Sequence, residues 1–244
     1  MRNIIKNKGL IIKTQDYLEN AVLATILTEK GKESLIIRGA KKMNTSTRRL
    51  GNILTLIEFN HTESKGLSTL TEGIVINNYT SIKDDLIRYN YALVILEKIS
   101  FFMEQITDFP TLYNFTLELL NKLNDTKYLN AIILIFEIKL LYLLGVAPSF
   151  NRCPICGKKA INAALDIKSG GFICEDCHYL KETSLDINDS LLFKKIYVTK
   201  LNEIDENFLI QINNHQNINK CINSYYEWHL DFKSKVLDII EKIG

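Results

Sequence analysis

Residues 153–177 read CPICGKKAINAALDIKSGGFICEDC, and this stretch places four cysteines in two closely spaced pairs. The spacing is C-x2-C-x17-C-x2-C, with Cys153 and Cys156 in the first pair and Cys174 and Cys177 in the second. Two intervening residues allow both sulfurs of a pair to face one ion, and the linker is long enough for a small hairpin that brings the pairs together. The stretch therefore predicts a structural Zn²⁺ site, because four protein ligands leave no open coordination position.

Other interpretations of the cysteines explain less of the pattern. A redox-active pair would use only one C-x2-C motif. Residues 174–178 also match the c-type haem attachment motif, but haem attachment there would leave the first cysteine pair without a role. An iron–sulfur cluster could use the same four thiolates. A zinc deaminase needs an H-x-E motif, which occurs far away at residues 61–63. The fifth cysteine, Cys221, is expected to be a small core residue.

The region before residue 79 has the composition of β-structure, because Ile, Val, Leu and Thr fill short segments separated by polar breaks. Five short strands in under 80 residues favour a small closed barrel, since closure removes exposed strand edges. An OB-type barrel is one option at this size, and an SH3-like barrel is another. The predicted strands are residues 4–14, 21–28, 34–38, 50–60 and 67–77.

The pattern changes to helical spacing after residue 80. Ser81, with Asp84 three residues later, has the form of a helix N-cap, and Pro110 suits the first turn of a second helix. An apolar third helix is predicted at residues 127–144, short helices at 191–198 and 208–212, and one long helix at 218–243. The first helix is expected to bury one stripe of residues: Ile82, Leu86, Tyr89, Leu93 and Leu96.

These patterns together predict an α+β protein in which an N-terminal five-stranded OB-type barrel precedes an α-helical domain with an inserted four-cysteine zinc module. The predicted limits are 1–78 for the barrel, 79–149 and 181–244 for the two parts of the helical domain, and 150–180 for the zinc module.

The charge of the chain is unevenly distributed. The formal net charge is +2, yet residues 1–60 hold 11 Lys and Arg against 5 Asp and Glu. Such a bias indicates a basic face that can bind phosphates by releasing counterions, although a solvated surface loop would have the same composition. Few aromatic residues lie nearby, Tyr17 and Phe59 being the candidates, so sequence-independent backbone contact is favoured over base stacking. The candidate phosphate-binding residues are Lys30, Lys32, Arg38, Lys41, Lys42, Arg48 and Arg49.

Several functional classes lack their sequence signals. There is no P-loop, no G-x-S-x-G, no H-E-x-x-H and no dinucleotide-binding glycine pattern, so we expect no enzymatic activity and no catalytic residues. No segment is long and apolar enough to cross a membrane, and the start does not resemble a signal peptide, so a cytoplasmic protein is expected.

An ordered series of short segments resembles the bacterial RecO family of DNA repair proteins. The segments span nearly the whole chain, and the four cysteines fall at the expected place among them. They are residues 9–14 and 16–20, 28–32, 38–42, 67–72, 143–148, 169–172, 226–230 and 233–234. The loop after Lys42 departs from the family pattern, because Met43 and Asn44 stand where a proline is typical.

This resemblance implies an OB barrel, a helical domain and a zinc module. It also implies binding of single- and double-stranded DNA, annealing of complementary strands, and loading of recombinase together with RecR and single-strand-binding protein, in the cytoplasm at the nucleoid. By position, it places DNA contact on the seven basic residues given above. A zinc-ribbon adaptor that binds only proteins is the alternative hypothesis, and an unrecognised hydrolase is a third.

Overall fold

The computed structural model describes residues 4–42, 46–62, 67–161, 163–178 and 184–243. The chain forms two compact units, the first ending at Asp125 and the second beginning at Thr126. The first unit contains the predicted barrel and, in its described part, four helices. The second contains the cysteine-rich segment and the remaining helices. In the part of the chain that the structure describes, no helix is both long and apolar enough to cross a membrane.

Five strands close into a barrel in the order β1-β2-β3-β5-β4, with β4 returning to pair with β1. Neighbouring strands are antiparallel except β3 and β5, which are parallel. This order confirms the predicted OB-type barrel. The strands are β1 (Ile4–Tyr17), β2 (Ala21–Thr28), β3 (Gly31–Arg38), β4 (Thr55–Thr62) and β5 (Ser68–Asn77).

The length of β1 makes closure possible. Its first part, Ile4 to Ile11, pairs with β4, and its later part, Gly9 to Tyr17, pairs with β2. A register shift between Ile11 and Lys13 accompanies the passage from one partner to the other. Alternate residues of the strands point inward and form a buried core that includes Ile26, Ile37 and Phe59.

The predicted fourth strand began too early. Residues 46–50 form a short helix, α1 (Ser46–Leu50), and β4 begins only at Thr55. Leu50 is nevertheless buried and belongs to the barrel core. The apolar side chain of Leu50 therefore indicated burial, not strand structure. A helix packed against the barrel can contribute a side chain to the core just as a strand can.

Three helices complete the first unit: α2 (Thr80–Lys83), α3 (Leu86–Phe102) and α4 (Phe109–Asp125). The predicted cap at Ser81 is wrong, since Asp85 caps α3 and accepts hydrogen bonds from the amides of Ile87 and Arg88. The predicted stripe is also wrong at Leu86, which is 69% exposed in the first turn of α3. Pro110 lies in the first turn of α4, as predicted.

The second unit is built around a buried central helix. Helix α5 (Leu129–Leu143) is buried continuously from Ala131 to Ile138, which confirms the predicted apolar third helix. The other elements are β6 (Ala164–Asp166), β7 (Gly171–Ile173), α6 (Glu175–His178), α7 (Ile187–Val198), a 3₁₀ turn (Leu201–Glu203), α8 (Glu206–Ile212), α9 (Gln216–Leu230) and α10 (Lys235–Ile243).

The predicted long terminal helix is wrong. Helix α9 ends at Leu230, and α10 begins at Lys235. The C-cap residue Asp231 adopts a left-handed conformation with φ of 48°, which ends the helix. Phe232 then turns back into the unit and is buried, so burial of this side chain accompanies the interruption. The predicted domain limits stay a prediction; the first compact unit extends through α4 because α3 packs on β1 and α4 packs on β2.

Candidate metal centre and nucleic-acid interface

The sulfur atoms of the four cysteines converge on one point. Those of Cys153, Cys156, Cys174 and Cys177 all lie within 4.8 Å of one another, and those of Cys156 and Cys174 are 3.5 Å apart. A tetrahedron with zinc–sulfur bonds of about 2.3 Å has edges of about 3.8 Å. The cluster therefore has the size and the donor set of a four-sulfur metal site, and it can hold a metal ion.

The first cysteine pair lies on a tight turn. The amide of Gly157 donates to the carbonyl of Cys153, and the amide of Cys153 donates to the carbonyl of Lys158, both at 2.8 Å. Gly157 has φ of +74°, a left-handed conformation that glycine adopts without steric cost. This turn directs both sulfurs of the pair to the same side.

The second pair lies at the junction of β7 and α6. The amides of Cys177 and His178 both donate to the carbonyl of Cys174 at 3.0 Å, so α6 begins directly at the metal site. His178 is exposed, and the cluster of ligand atoms consists of the four cysteines without it. The ligand set predicted from the spacing is thus brought together, with Cys156 as its exposed member.

The thiols have very different acidities. Burial by itself raises the pKa of Cys153, but hydrogen bonds from the backbone of Cys174, Cys156 and Ile155 bring the pKa down to about 6. Burial raises the pKa of Cys177 to about 12, and hydrogen bonds with the other thiols add to the effect. Four thiolates this close repel each other strongly, so a bound cation is what permits all four to ionise together.

Aromatic packing anchors the metal module, the segment from Cys153 to Cys177 that carries the four cysteines, within the second unit. Phe172 of β7 is buried, with its ring centroid 5.3 Å from that of Phe150, and Phe150 is in turn 6.2 Å from Phe193 of α7. The amide of Phe172 also donates to the carbonyl of Ser149 at 2.9 Å. The hairpin that carries the second cysteine pair is therefore part of the core of the second unit.

The seven predicted DNA-binding residues are all exposed, but they fall into two groups. Lys30 and Lys32 lie at the β2–β3 turn, where Thr28 pairs with Gly31, whereas Arg38 ends β3. The seven residue steps from Gly31 to Arg38 span about 23 Å along an extended strand. The contiguous basic segment of the sequence is thus divided between opposite ends of one strand.

The larger group gathers at the Arg38 end of the barrel. A Cβ added to Gly51 would lie 2.6 Å from the Cβ of Ala40, so the end of α1 packs closely on the loop that follows β3. This contact brings the cations of the loop and of α1 to the same side of the barrel. We call this group the basic rim, and it consists of Arg38, Lys41, Lys42, Arg48 and Arg49.

Lys41 and Lys32 both form ion pairs with acids. Lys41 lies 2.8 Å from the carboxylate of Asp16, and Lys32 lies 2.6 Å from that of Glu104. Among the described residues, no acidic partner is found for the rim arginines: Arg38, Arg48 and Arg49. These three guanidinium groups are therefore available to contact a phosphate chain.

Some predicted contact residues lie elsewhere than expected, and one residue that contacts the basic rim was not predicted. Phe59 is not available for stacking, because it is 1% exposed in the barrel core. Residues 43–45 of the predicted phosphate-binding loop lie outside the described residues. The ion pair between Asp16 and Lys41 was not predicted. The strand that carries Asp16 is recognisable in the sequence, but the contact with Lys41 depends on pairing across three strands.

The comparisons with known proteins agree with this architecture. The family model for the N-terminal part of recombination protein O matches residues 1–79, and the model for its C-terminal part matches residues 83–238. The two matches together cover nearly the whole chain, and their boundary follows the last strand of the barrel.

Individual relatives give the same result. The chain is 29% identical to the DNA repair protein RecO of Bacillus pumilus, over 95% of this chain and 92% of the relative. It is 31% identical to that of Syntrophomonas wolfei, over 77% and 76%, and 28% identical to that of Listeria monocytogenes, over 91% and 88%. With both family models matched in order and an OB-type barrel preceding the helical, cysteine-bearing unit, the chain belongs to the RecO family.

Proposed function

We propose that this protein is a DNA-binding recombination mediator that binds single- and double-stranded DNA and anneals complementary strands. It acts in the cytoplasm at the nucleoid, with RecR and single-strand-binding protein, to load recombinase. It carries no catalytic residues. The observation that carries the proposal is the basic rim, in which five exposed cations share one end of an OB-type barrel. Membership of the RecO family and the names of the relatives support it.

The proposed mechanism is electrostatic. Cations that contact phosphates release the counterions condensed on DNA, and this release drives binding without reading sequence. Placing two strands on one cationic surface also lowers their mutual repulsion, so annealing needs no nucleotide hydrolysis. The three rim arginines, Arg38, Arg48 and Arg49, are the proposed principal contacts.

We also propose that the metal is Zn²⁺ and that its role is structural. Four sulfur donors in a small cluster suit a tetrahedral zinc ion, and they leave no position for a reacting water. When bound, the ion would cross-link the two cysteine pairs and would have no catalytic role. The expected result of metal analysis of the purified protein is one zinc per chain, and iron in its place would overturn this assignment.

The proposed DNA interface is tested by the dependence of oligonucleotide affinity on salt. Replacing Arg38, Arg48 and Arg49 together with alanine is expected to reduce the slope of log affinity against log salt by about two to three units, since each phosphate contact contributes somewhat less than one. Lys30→Ala is the matched control, because Lys30 is exposed at the other end of β3. An unchanged slope in the triple variant would show that the rim is not the interface.

Strand annealing without ATP separates this proposal from the adaptor hypothesis. A protein-only adaptor predicts capture of partner proteins with no effect on DNA. Two exposed isoleucines of the metal module, Ile155 and Ile161, would suit such contacts. We expect the purified protein to accelerate annealing of complementary oligonucleotides, and the triple arginine variant to lose most of this acceleration. Annealing at the uncatalysed rate together with normal partner capture would favour the adaptor.

A further inference from the structure

The tip of the β1–β2 hairpin carries an apolar side chain in an unusual backbone conformation. Leu18 has φ of 54°, in the left-handed region, and its side chain is 72% exposed. Leucine seldom adopts this conformation, because its Cβ crowds the backbone, whereas glycine and asparagine adopt it readily. Both features of this residue are unfavourable for the isolated protein: the backbone is strained and apolar surface faces water.

The strained residue lies at the end of the barrel that carries the basic rim. In the strand register, Tyr17 pairs with Ala21, and Ala21 pairs with Arg38, so the hairpin tip adjoins the start of the rim. Asp16, two residues before Leu18, is ion-paired with Lys41 of the rim. The tip therefore projects beside the cations that are proposed to bind phosphates.

The chemistry of the two features is complementary to unpaired DNA. A single strand presents phosphates, which the rim arginines can contact, and the flat apolar faces of its bases, which an exposed leucine can cover. In a closed duplex these faces are stacked, and an apolar side chain reaches them only by wedging between base steps. The neighbouring acids, Asp16 and Glu19, would disfavour a second phosphate contact at the tip itself.

We infer that Leu18 is a base-contacting wedge, which packs against an unstacked base of the strand held on the basic rim. This inference rests on the proposed function, since it requires DNA at the rim. It adds a specificity element: the rim binds any polyphosphate, and Leu18 favours strands whose bases are open. The strain at Leu18 is then offset when the side chain leaves water against a base.

The test uses Leu18→Asn, because asparagine tolerates the left-handed conformation and removes the apolar surface. The variant should fold at least as well as the wild type, with an equal or higher melting temperature. We expect its affinity for a single-stranded oligonucleotide to fall roughly fivefold, as for the loss of one partly buried leucine contact. Its affinity for a blunt duplex should change less than twofold.

Two matched controls accompany this variant. Leu18→Met keeps an apolar side chain in the same place and should retain single-strand affinity. Leu86→Asn removes a leucine of similar exposure, 69%, from the first turn of α3, and it should leave DNA binding unchanged. A 2-aminopurine base in the oligonucleotide reports unstacking by brighter fluorescence, and wild type and Leu18→Met should increase it more than Leu18→Asn.

The outcomes separate the wedge from the interface. In one outcome, the wild type binds DNA with a salt dependence that the arginine variants weaken, but Leu18→Asn equals the wild type in single-strand affinity and 2-aminopurine signal. The proposed role of Leu18 is then wrong, and the basic rim remains the DNA interface. If the wild type does not bind DNA in dilute salt, the proposed function fails and the wedge fails with it. A single-strand defect confined to Leu18→Asn supports the wedge.

Discussion

The ammonium group of Lys41 lies 2.8 Å from a carboxylate oxygen of Asp16, and this ion pair links the β1–β2 hairpin to the loop that follows β3. The Asp16 side chain is 84% exposed, so the pair is solvated and contributes little to stability. Its main effect is on charge, because it compensates one of the five cations of the basic rim and places a negative group where DNA is proposed to bind.

Replacing Asp16 with asparagine should therefore strengthen DNA binding. The variant frees Lys41 and removes one repulsive charge, so affinity at low salt should rise severalfold and the salt slope should become steeper by up to about one unit. The control is Glu104→Gln, which frees Lys32 from its ion pair at the other end of β3. Equal effects of both variants in an oligonucleotide titration would contradict a localised rim.

Removing one metal ligand should destabilise the second unit and spare the rim. Cys156→Ser breaks the four-sulfur set, and the expected cost is on the order of several kcal/mol, because metal binding and folding of the module are linked. Thermal unfolding and metal content measure the two effects together. Cys221→Ser is the control, since Cys221 is buried in α9 and is not part of the metal cluster; it should retain full metal content.

The salt slope of DNA binding gives a second readout for the same variant. The rim belongs to the first unit and the metal cluster to the second, so Cys156→Ser should keep the wild-type slope at a temperature where both units are folded. A lost slope would show that the metal module itself contacts DNA.

The cap of α3 provides a direct test of the local structure. Asp85→Ala removes the acceptor for two backbone amides, at 3.0 and 3.1 Å, and an ion pair with Arg88. Such a loss costs about 1 kcal/mol in denaturant unfolding. Ser81→Ala, at the cap that the sequence favoured, should change stability by less than about 0.5 kcal/mol. The reverse order of the two effects would contradict the observed start of α3.

Stability should fall at alkaline pH because α9 buries three weakly acidic groups. Burial raises the pKa of Cys221 and that of Tyr225 to about 12, from usual values of 9.0 and 10.0, and it raises the pKa of Tyr226 well above its usual value. The folded state retains protons that the unfolded chain releases. Their contribution is therefore complete below about pH 9 and is lost as pH rises towards 12.

Urea unfolding between pH 8 and pH 11 measures this effect as a falling midpoint. Tyr225→Phe removes one titrating hydroxyl together with its 2.8 Å hydrogen bond to the carbonyl of Val146. It should be less stable than the wild type by about 1 kcal/mol at neutral pH, with a shallower decline above pH 9. A midpoint that is constant across this range would show that these groups ionise without unfolding.

Local patterns in the sequence predicted the elements better than their ends. The apolar run of α5 and the strand β2 were recognised because burial on one or all sides leaves a direct mark on composition. The break after Leu230 was not recognised, since the 3.6-residue pattern of α9 and α10 is continuous across Asp231. Only the packing of Phe232 distinguishes one long helix from two.

The cap of α3 was misplaced for a related reason. Ser81 and Asp85 both suit a helix start in sequence, and Ser81 has the better spacing to a following acid. The chain instead makes the short helix α2, in which Ile82 is fully buried, and restarts at Asp85. Burial of one isoleucine is worth more than the difference between two capping residues.

Local sequence was enough to predict the four-cysteine cluster and the class of the fold. Two C-x2-C pairs indicate which sulfurs can meet, and the change from strand to helical periodicity indicates where the barrel ends, because both depend on residues close together in the chain. Which charges act together depends instead on how the strands pair. Lys32 and Arg38 are six residues apart and lie towards opposite ends of an extended strand, whereas Asp16 and Lys41, 25 residues apart, are in contact because barrel closure aligns β1, β2 and β3.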